Sequence, residues 1–273
     1  MLNSCLQNPS PAPEGLLLAP RQSLMPGIIG GMGPLPHIHF ERLLLEKMRA
    51  RGVIKEQEYP LYMVINAAPM PDRTACILKG NEACVPALVE AGQKLERAGA
   101  HFIVAICNTA HAFRERTSEQ LSIPWVDMLR VVAFQLKASP TPVDAIGLLA
   151  TDGTLKTGLY PRALESLGLR SLKTLYPGAN RQKDVMDAIY DSKFGIKSAA
   201  QLTVQEEAIR RFEKAARELM ASGASVIITG CTEISLCSAE LRERGIPILD
   251  PLDALADTVI DISFGKTNAW AFS

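Results

Sequence analysis

From Gly27 to about Ser263, short apolar runs alternate with longer stretches whose apolar residues recur at helical spacing. Gly27-Ile28-Ile29-Gly30 reads as a strand ending in a glycine turn, and residues 35–48 as a helix with Leu43, Leu44 and Met48 on one face. Tyr62-Met63-Val64-Ile65-Asn66 predicts a second strand, residues 69–74 a loop and residues 81–98 a helix. Ile103-Val104-Ala105-Ile106 is an unbroken apolar run, as expected of a strand buried on both faces, and Pro124-Trp125-Val126-Asp127 predicts a shorter strand. The rhythm then repeats: strand over 145–149, helix to 167, strand over 171–175, helices to 220, then strand Val226-Ile227-Ile228. Such a series predicts an α/β protein with parallel sheets covered by helices.

The second half also repeats the residues of the first. Gly27-Ile28-Ile29-Gly30 aligns with Gly147-Leu148-Leu149-Ala150, and Gly99-Ala100 with Gly223-Ala224. Ile123-Pro124-Trp125-Val126-Asp127 aligns with Ile246-Pro247-Ile248-Leu249-Asp250. Gly147 lies 120 residues after Gly27, Cys231 lies 124 after Cys107, and Ile246 lies 123 after Ile123. Three landmarks in one order at a near-constant offset indicate two pseudo-symmetric parallel-sheet βα domains with a shared cleft. We place the first at 25–124 plus 250–266 and the second at 125–249. Residues 1–24, with Pro9, Pro11, Pro13 and Pro20, read as an extended or disordered N-terminal tail.

Each half delivers a cysteine at the end of a buried strand, Cys107 followed by Asn108-Thr109-Ala110 and Cys231 followed by Thr232-Glu233. Two thiols presented alike suit a reaction needing two similar acid–base groups. Inverting a carbon stereocentre is one: a proton leaves one face and another arrives at the opposite face. A thiol fits this role because its pKa of ~8.5 lies near neutrality. The first turn of a helix is expected to favour the thiolate, and its backbone N–H groups to hold a substrate carboxylate. The sequence therefore reads as a cofactor-independent amino-acid racemase.

Bulk properties narrow the field only slightly. The 273 residues are 47% hydrophobic and 21% charged, ordinary for a soluble globular protein. A formal net charge of zero gives no reason to expect nucleic acid or an anionic membrane, and no apolar run reaches the ~20 residues of a membrane span. Six cysteines without CxxC pairs read as reduced thiols of a cytoplasmic protein. Cys5, Cys76, Cys84 and Cys237 read as small buried hydrophobes. His111 stands four residues after Cys107, but no further ligand accompanies the pair, so no metal is expected. Gly30-Gly31-Met32-Gly33 lacks the full dinucleotide fingerprint.

The blocks Gly30-Gly31-Met32-Gly33-Pro34, Pro71-Asp72-Arg73-Thr74, Cys107-Asn108-Thr109-Ala110-His111, Gly147-Leu148-Leu149-Ala150-Thr151 and Gly230-Cys231-Thr232-Glu233 together resemble the aspartate/glutamate racemase family, most of all its aspartate racemases. The resemblance implies two α/β domains around one active site, catalysis by Cys107 and Cys231, and neither pyridoxal phosphate nor metal. It places substrate contacts at Met32, Arg73, Asn108, Thr109, Ala110, Thr151, Lys197 and Thr232, with Lys193 the alternative to Lys197. It further implies that the helix after Asp250 packs on the first domain, and that the protein is a homodimer. One departure is Leu35-Pro36-His37-Ile38-His39, where the family usually continues with small residues and Thr; His37 near the cleft mouth is expected to alter substrate preference.

Positive side chains at Arg73 and Lys197 point to a small acidic amino acid, with L- and D-aspartate first. Glutamate differs by one methylene, worth only ~1–3 kcal/mol in a pocket, so glutamate or a broader set is the alternative. A two-cysteine isomerase of maleate or hydantoin type would keep the scaffold and use one thiol as nucleophile. A non-catalytic binding protein is the reading from another class.

Overall fold

A computed structural model of the chain describes residues 23–197 and 202–273. The tail expected over 1–24 lies outside the described residues except for Ser23 and Leu24, and Cys5 lies outside them too. The first half runs β1 (Pro26–Gly30), α1 (Pro34–Ala50), β2 (Met63–Asn66), α2 (Arg73–Lys79), α3 (Val85–Arg97), β3 (Phe102–Ala105), α4 (Arg114–Ser118) and α5 (Met128–Lys137). The second runs β4 (Ala145–Ala150), α6 (Asp152–Thr157), α7 (Leu159–Ser166), β5 (Lys173–Leu175), α8 (Ala179–Tyr190), α9 (Glu206–Ala221), β6 (Val226–Gly230), α10 (Thr232–Ser235), α11 (Ser238–Glu243), β7 (Ile248–Leu249) and α12 (Pro251–Ser263).

Both sheets are parallel, in the orders β2-β1-β3 and β5-β4-β6-β7. The internal repeat is visible in the register. Ile29 pairs with Ala105 at the end of the first cysteine strand, and Ala150 with Gly230 at the end of the second. Every residue of β1, β3 and β4 is buried, which accounts for their unbroken apolar sequences. The helices bury one stripe each. On α9 the residues Ala208, Ile209, Phe212, Ala215, Ala216 and Leu219 face the second sheet's core, at the three- and four-residue steps that keep one helical face inward. Burying Phe212 alone is worth about 2–3 kcal/mol. Helix α12 returns to the first sheet, where Leu252, Leu255, Val259 and Ile260 join Ile28, Phe40, Leu44 and Val104 in one cluster.

Two local expectations are corrected. The strand expected over Pro124-Trp125-Val126-Asp127 shrinks to a single bridge, Ile103 to Trp125. Beyond it the Asp127 amide turns away to the Phe272 carbonyl (2.8 Å), while the Asp127 carboxylate caps α5 through the Leu129 amide (2.8 Å). The loop expected over 69–74 ends early, because α2 starts at Arg73. The Asp72 carboxylate accepts from the Ala75 amide at 2.7 Å, and Gly80 closes the helix at φ 66°.

Candidate active site

The cysteine strands end at the seam between the halves. Cys107 follows β3 and precedes a tight 3-10 turn over Thr109–Phe113; Cys231 follows β6 and caps α10. Cys107 and Cys231 line one small cavity, together with Asn108, Thr109, Thr151, Thr232, Arg73 and Lys197. Each cysteine is 5% exposed. Asp72, Thr74, Tyr190 and Glu233 complete the lining.

A knot of hydroxyls joins the halves. Thr151, at the end of β4, accepts from Thr74 (3.1 Å) and meets Thr109 at 3.0 Å, and Thr109 meets Thr154 at 2.9 Å. Gly153 permits the approach, since a Cβ there would lie 2.9 Å from the Thr74 Cα and 3.1 Å from the Thr109 methyl. Asn108 is fixed by Tyr160, whose hydroxyl donates to its Oδ1 at 2.5 Å. His111 braces the turn, with Nδ1 on the Cys107 carbonyl (2.9 Å) and Nε2 accepting from the Met128 amide (3.2 Å). Accepting at Nε2 requires the neutral ring, and burial accordingly lowers the His111 pKa.

The electrical centre of the site is Glu233, a buried carboxylate. It pairs with the Lys197 ammonium at 2.8 Å and accepts from the Cys231 thiol (3.0 Å), the Thr232 hydroxyl (3.3 Å) and the Gly33 amide (3.2 Å). Burial works against its charge, but Lys197 and the thiol outweigh burial and hold it below the ordinary carboxylate value. The thiol itself goes the other way. Burial first, then the Glu233 carboxylate, pushes Cys231 well above the usual cysteine range, and Lys197 offsets this only in part. The thiolate expected from a helical first turn is thus corrected for Cys231: α10 has four residues, and desolvation beside an anion wins.

Arg73, the first residue of α2, is anchored by the carbonyls of Met32 and Pro71, each at 3.1 Å. Burial opposes its charge, and the fields of Cys107, Asp72 and Glu233 favour it. Lys197 also reaches the Met32 carbonyl (3.4 Å), and the Glu233 carboxylate holds its ammonium against desolvation. Two buried donors have no partner, Arg73 Nε and Asn108 Nδ2. Buried donors are normally paired, so both are suited to an acceptor brought by a ligand.

Eight of the ten sequence-predicted site residues therefore share this cavity. Met32 and Ala110 are buried without lining it, Met32 contributing only its carbonyl. Lys193 does not line it either, and His37 turns inward, accepting from the Gly31 amide (3.2 Å) instead of facing the cleft. Asp72, Thr74, Tyr190 and Glu233 are the lining residues that sequence reasoning missed as side chains. Asp72, Thr74 and Glu233 stood in quoted motifs; Tyr190 carried no signal apart from its place near Lys197. Among the described residues no group of three or more His, Cys, Asp or Glu is placed to hold a metal, and no helix is long and apolar enough to cross a membrane.

Comparison with known proteins agrees with this fold. The sequence model of the family described as Asp/Glu/Hydantoin racemase matches residues 29–259. The broad specificity amino-acid racemase RacX of Bacillus subtilis is 25% identical over 240 residues, covering 86% of this chain and 96% of that protein. The aspartate racemase of Picrophilus torridus superposes with a TM-score of 0.71 at 26% identity, over 89% of this chain and 94% of that one. A glutamate racemase from Bacillus anthracis shares the fold at a TM-score of 0.64 and 16% identity, over 89% and 82%.

Proposed function

We propose that this chain, which belongs to the Asp/Glu/hydantoin racemase family, interconverts L- and D-aspartate by a two-base mechanism at Cys107 and Cys231. The observation that carries the reading is the single cavity lined by both cysteines and by donors without partners. The substrate α-carboxylate meets Asn108 Nδ2 and the threonine hydroxyls, and the side-chain carboxylate meets Arg73. One cysteine, as thiolate, removes the α-proton; the carbanionic α-carbon then takes a proton from the other cysteine on the opposite face. Roles reverse for the other enantiomer, and solvent exchange resets the sulfurs. Glu233, already bonded to the Cys231 thiol, is placed to take up its proton when Cys231 must act as base. No step requires pyridoxal phosphate or a metal. The same reading expects a homodimer, and light scattering that returns the monomer mass removes that part.

A second substrate reading is supported by the Lys197–Glu233 pair. The Lys197 charge is already matched inside the site, which leaves Arg73 as the chief unmatched cation for a side-chain carboxylate. Glutamate and neutral amino acids then become candidates. Chiral chromatography over an amino-acid panel tests both: aspartate turnover far above the rest supports the first reading. Comparable rates on glutamate and neutral residues support the second, and no inversion of any amino acid defeats both.

A further inference from the structure

A larger and more open cleft of about 510 Å³ lies beside the Cys107 turn and shares His111 with it. Its charge comes from Arg114, Arg130 and Arg162, supplied by three separate helices. Only Arg114 faces a lining carboxylate, Asp127 at 3.4 Å, and that carboxylate is also committed to capping α5. Arg130 donates to the Ala271 carbonyl (3.3 Å) and Arg162 to the Thr157 carbonyl. Carbonyls satisfy N–H groups without supplying countercharge. Arg130 Nε, moreover, is buried and has no acceptor. The other lining carboxylate, Glu115, stands exposed to solvent, and His111 is neutral. Leu129 and Leu159 form an apolar wall between the arginines.

We infer that this cleft binds a small phosphate-bearing anion through Arg130 and Arg162. Planar guanidiniums match phosphate oxygens two at a time, and several converging on one concavity favour a ligand with more than one negative charge. Its walls are tied to the catalytic turn: His111 joins the Cys107 carbonyl to the Met128 amide, and Tyr160, next to Leu159, holds Asn108. The inference does not rest on the racemase reading and is tested without turnover.

Calorimetric titration of the purified full-length protein with inorganic pyrophosphate is the experiment. The wild type should bind with affinity that weakens as salt rises. Arg130→Gln and Arg162→Gln should each weaken binding about tenfold, or about 1.4 kcal/mol. Arg170→Gln, which removes an exposed guanidinium outside the cleft, should leave it unchanged. Absence of binding at 10 mM (an upper limit of roughly 3 kcal/mol of affinity) overturns the inference. So does equal weakening by all three substitutions, which would mean diffuse attraction without a site.

Discussion

Cys107 and Cys231 end equivalent strands, paired in the same way on the central strand of each sheet, yet their neighbours differ in sign. Cys107 lies in the field of the Arg73 guanidinium, whereas Cys231 donates to the Glu233 carboxylate, itself paired with Lys197. The repeated backbone therefore delivers matched sulfurs, while side chains that differ between the halves, Arg73 on α2 and Glu233 on α10 with Lys197, set their electrical surroundings. Under the proposed two-base mechanism one sulfur starts each turnover as acceptor and the other as donor, and burial beside Glu233 favours the thiol at Cys231.

The severest test of the comparison is to remove either sulfur. Cys107→Ala and Cys231→Ala should each lower net inversion of aspartate by at least about 10³-fold, read by chiral chromatography. In deuterated water, each variant should still exchange the α-proton of one enantiomer, and the two variants should choose opposite hands. The same hand for both would break the two-sided arrangement.

Lys197→Met strips the buried Glu233 of its counter-ion. Breaking such a pair from one side should cost about 3–5 kcal/mol, measured by urea unfolding. The double substitution Lys197→Met with Glu233→Gln should recover part of the loss, since no bare charge is then buried.

Glu233→Gln probes the Cys231 side alone. It should reduce kcat/KM about 100-fold. The fall must be equal in both directions, because the equilibrium constant between enantiomers is one. A selective loss in exchange of the enantiomer whose proton goes to Cys231 would assign that cysteine its hand.

The smallest expected effect is on the pH dependence of stability. The Glu233 pKa is lowered in the fold, so its contribution is present above the ordinary value of about 4.5 and is lost as pH falls through the folded value. Urea midpoints between pH 5 and pH 3 should fall more steeply for the wild type than for Glu233→Gln. Parallel slopes would mean that Lys197 does not hold the carboxylate ionised.

Much of the architecture was legible along the chain because it rests on local periodicity. The alternation of apolar runs and helical stripes predicted the two parallel sheets, and the near-constant offset between Cys107 and Cys231 predicted their equivalent corners. Helix α2 was missed although Asp72 and Gly80, its two caps, were in view; the nearby prolines masked a short element. His37 was misplaced for a related reason. Spacing puts it in the first turn of α1 without saying which way its ring points, and in the structure it braces Gly31.

By itself the sequence determined which residue types end each strand, and hence that two thiols, hydroxyls and cations were available from both halves. Only the tertiary structure decided their electrical pairing. Glu233 meets Lys197 from 36 positions away and Gly33 from 200, while the Asn108 Oδ1 accepts from Tyr160, 52 positions on, and its Nδ2 is left without a partner. Charge and desolvation act through space, at distances of a few ångströms that chain separation does not encode, so the sign of each sulfur's surroundings was settled by packing.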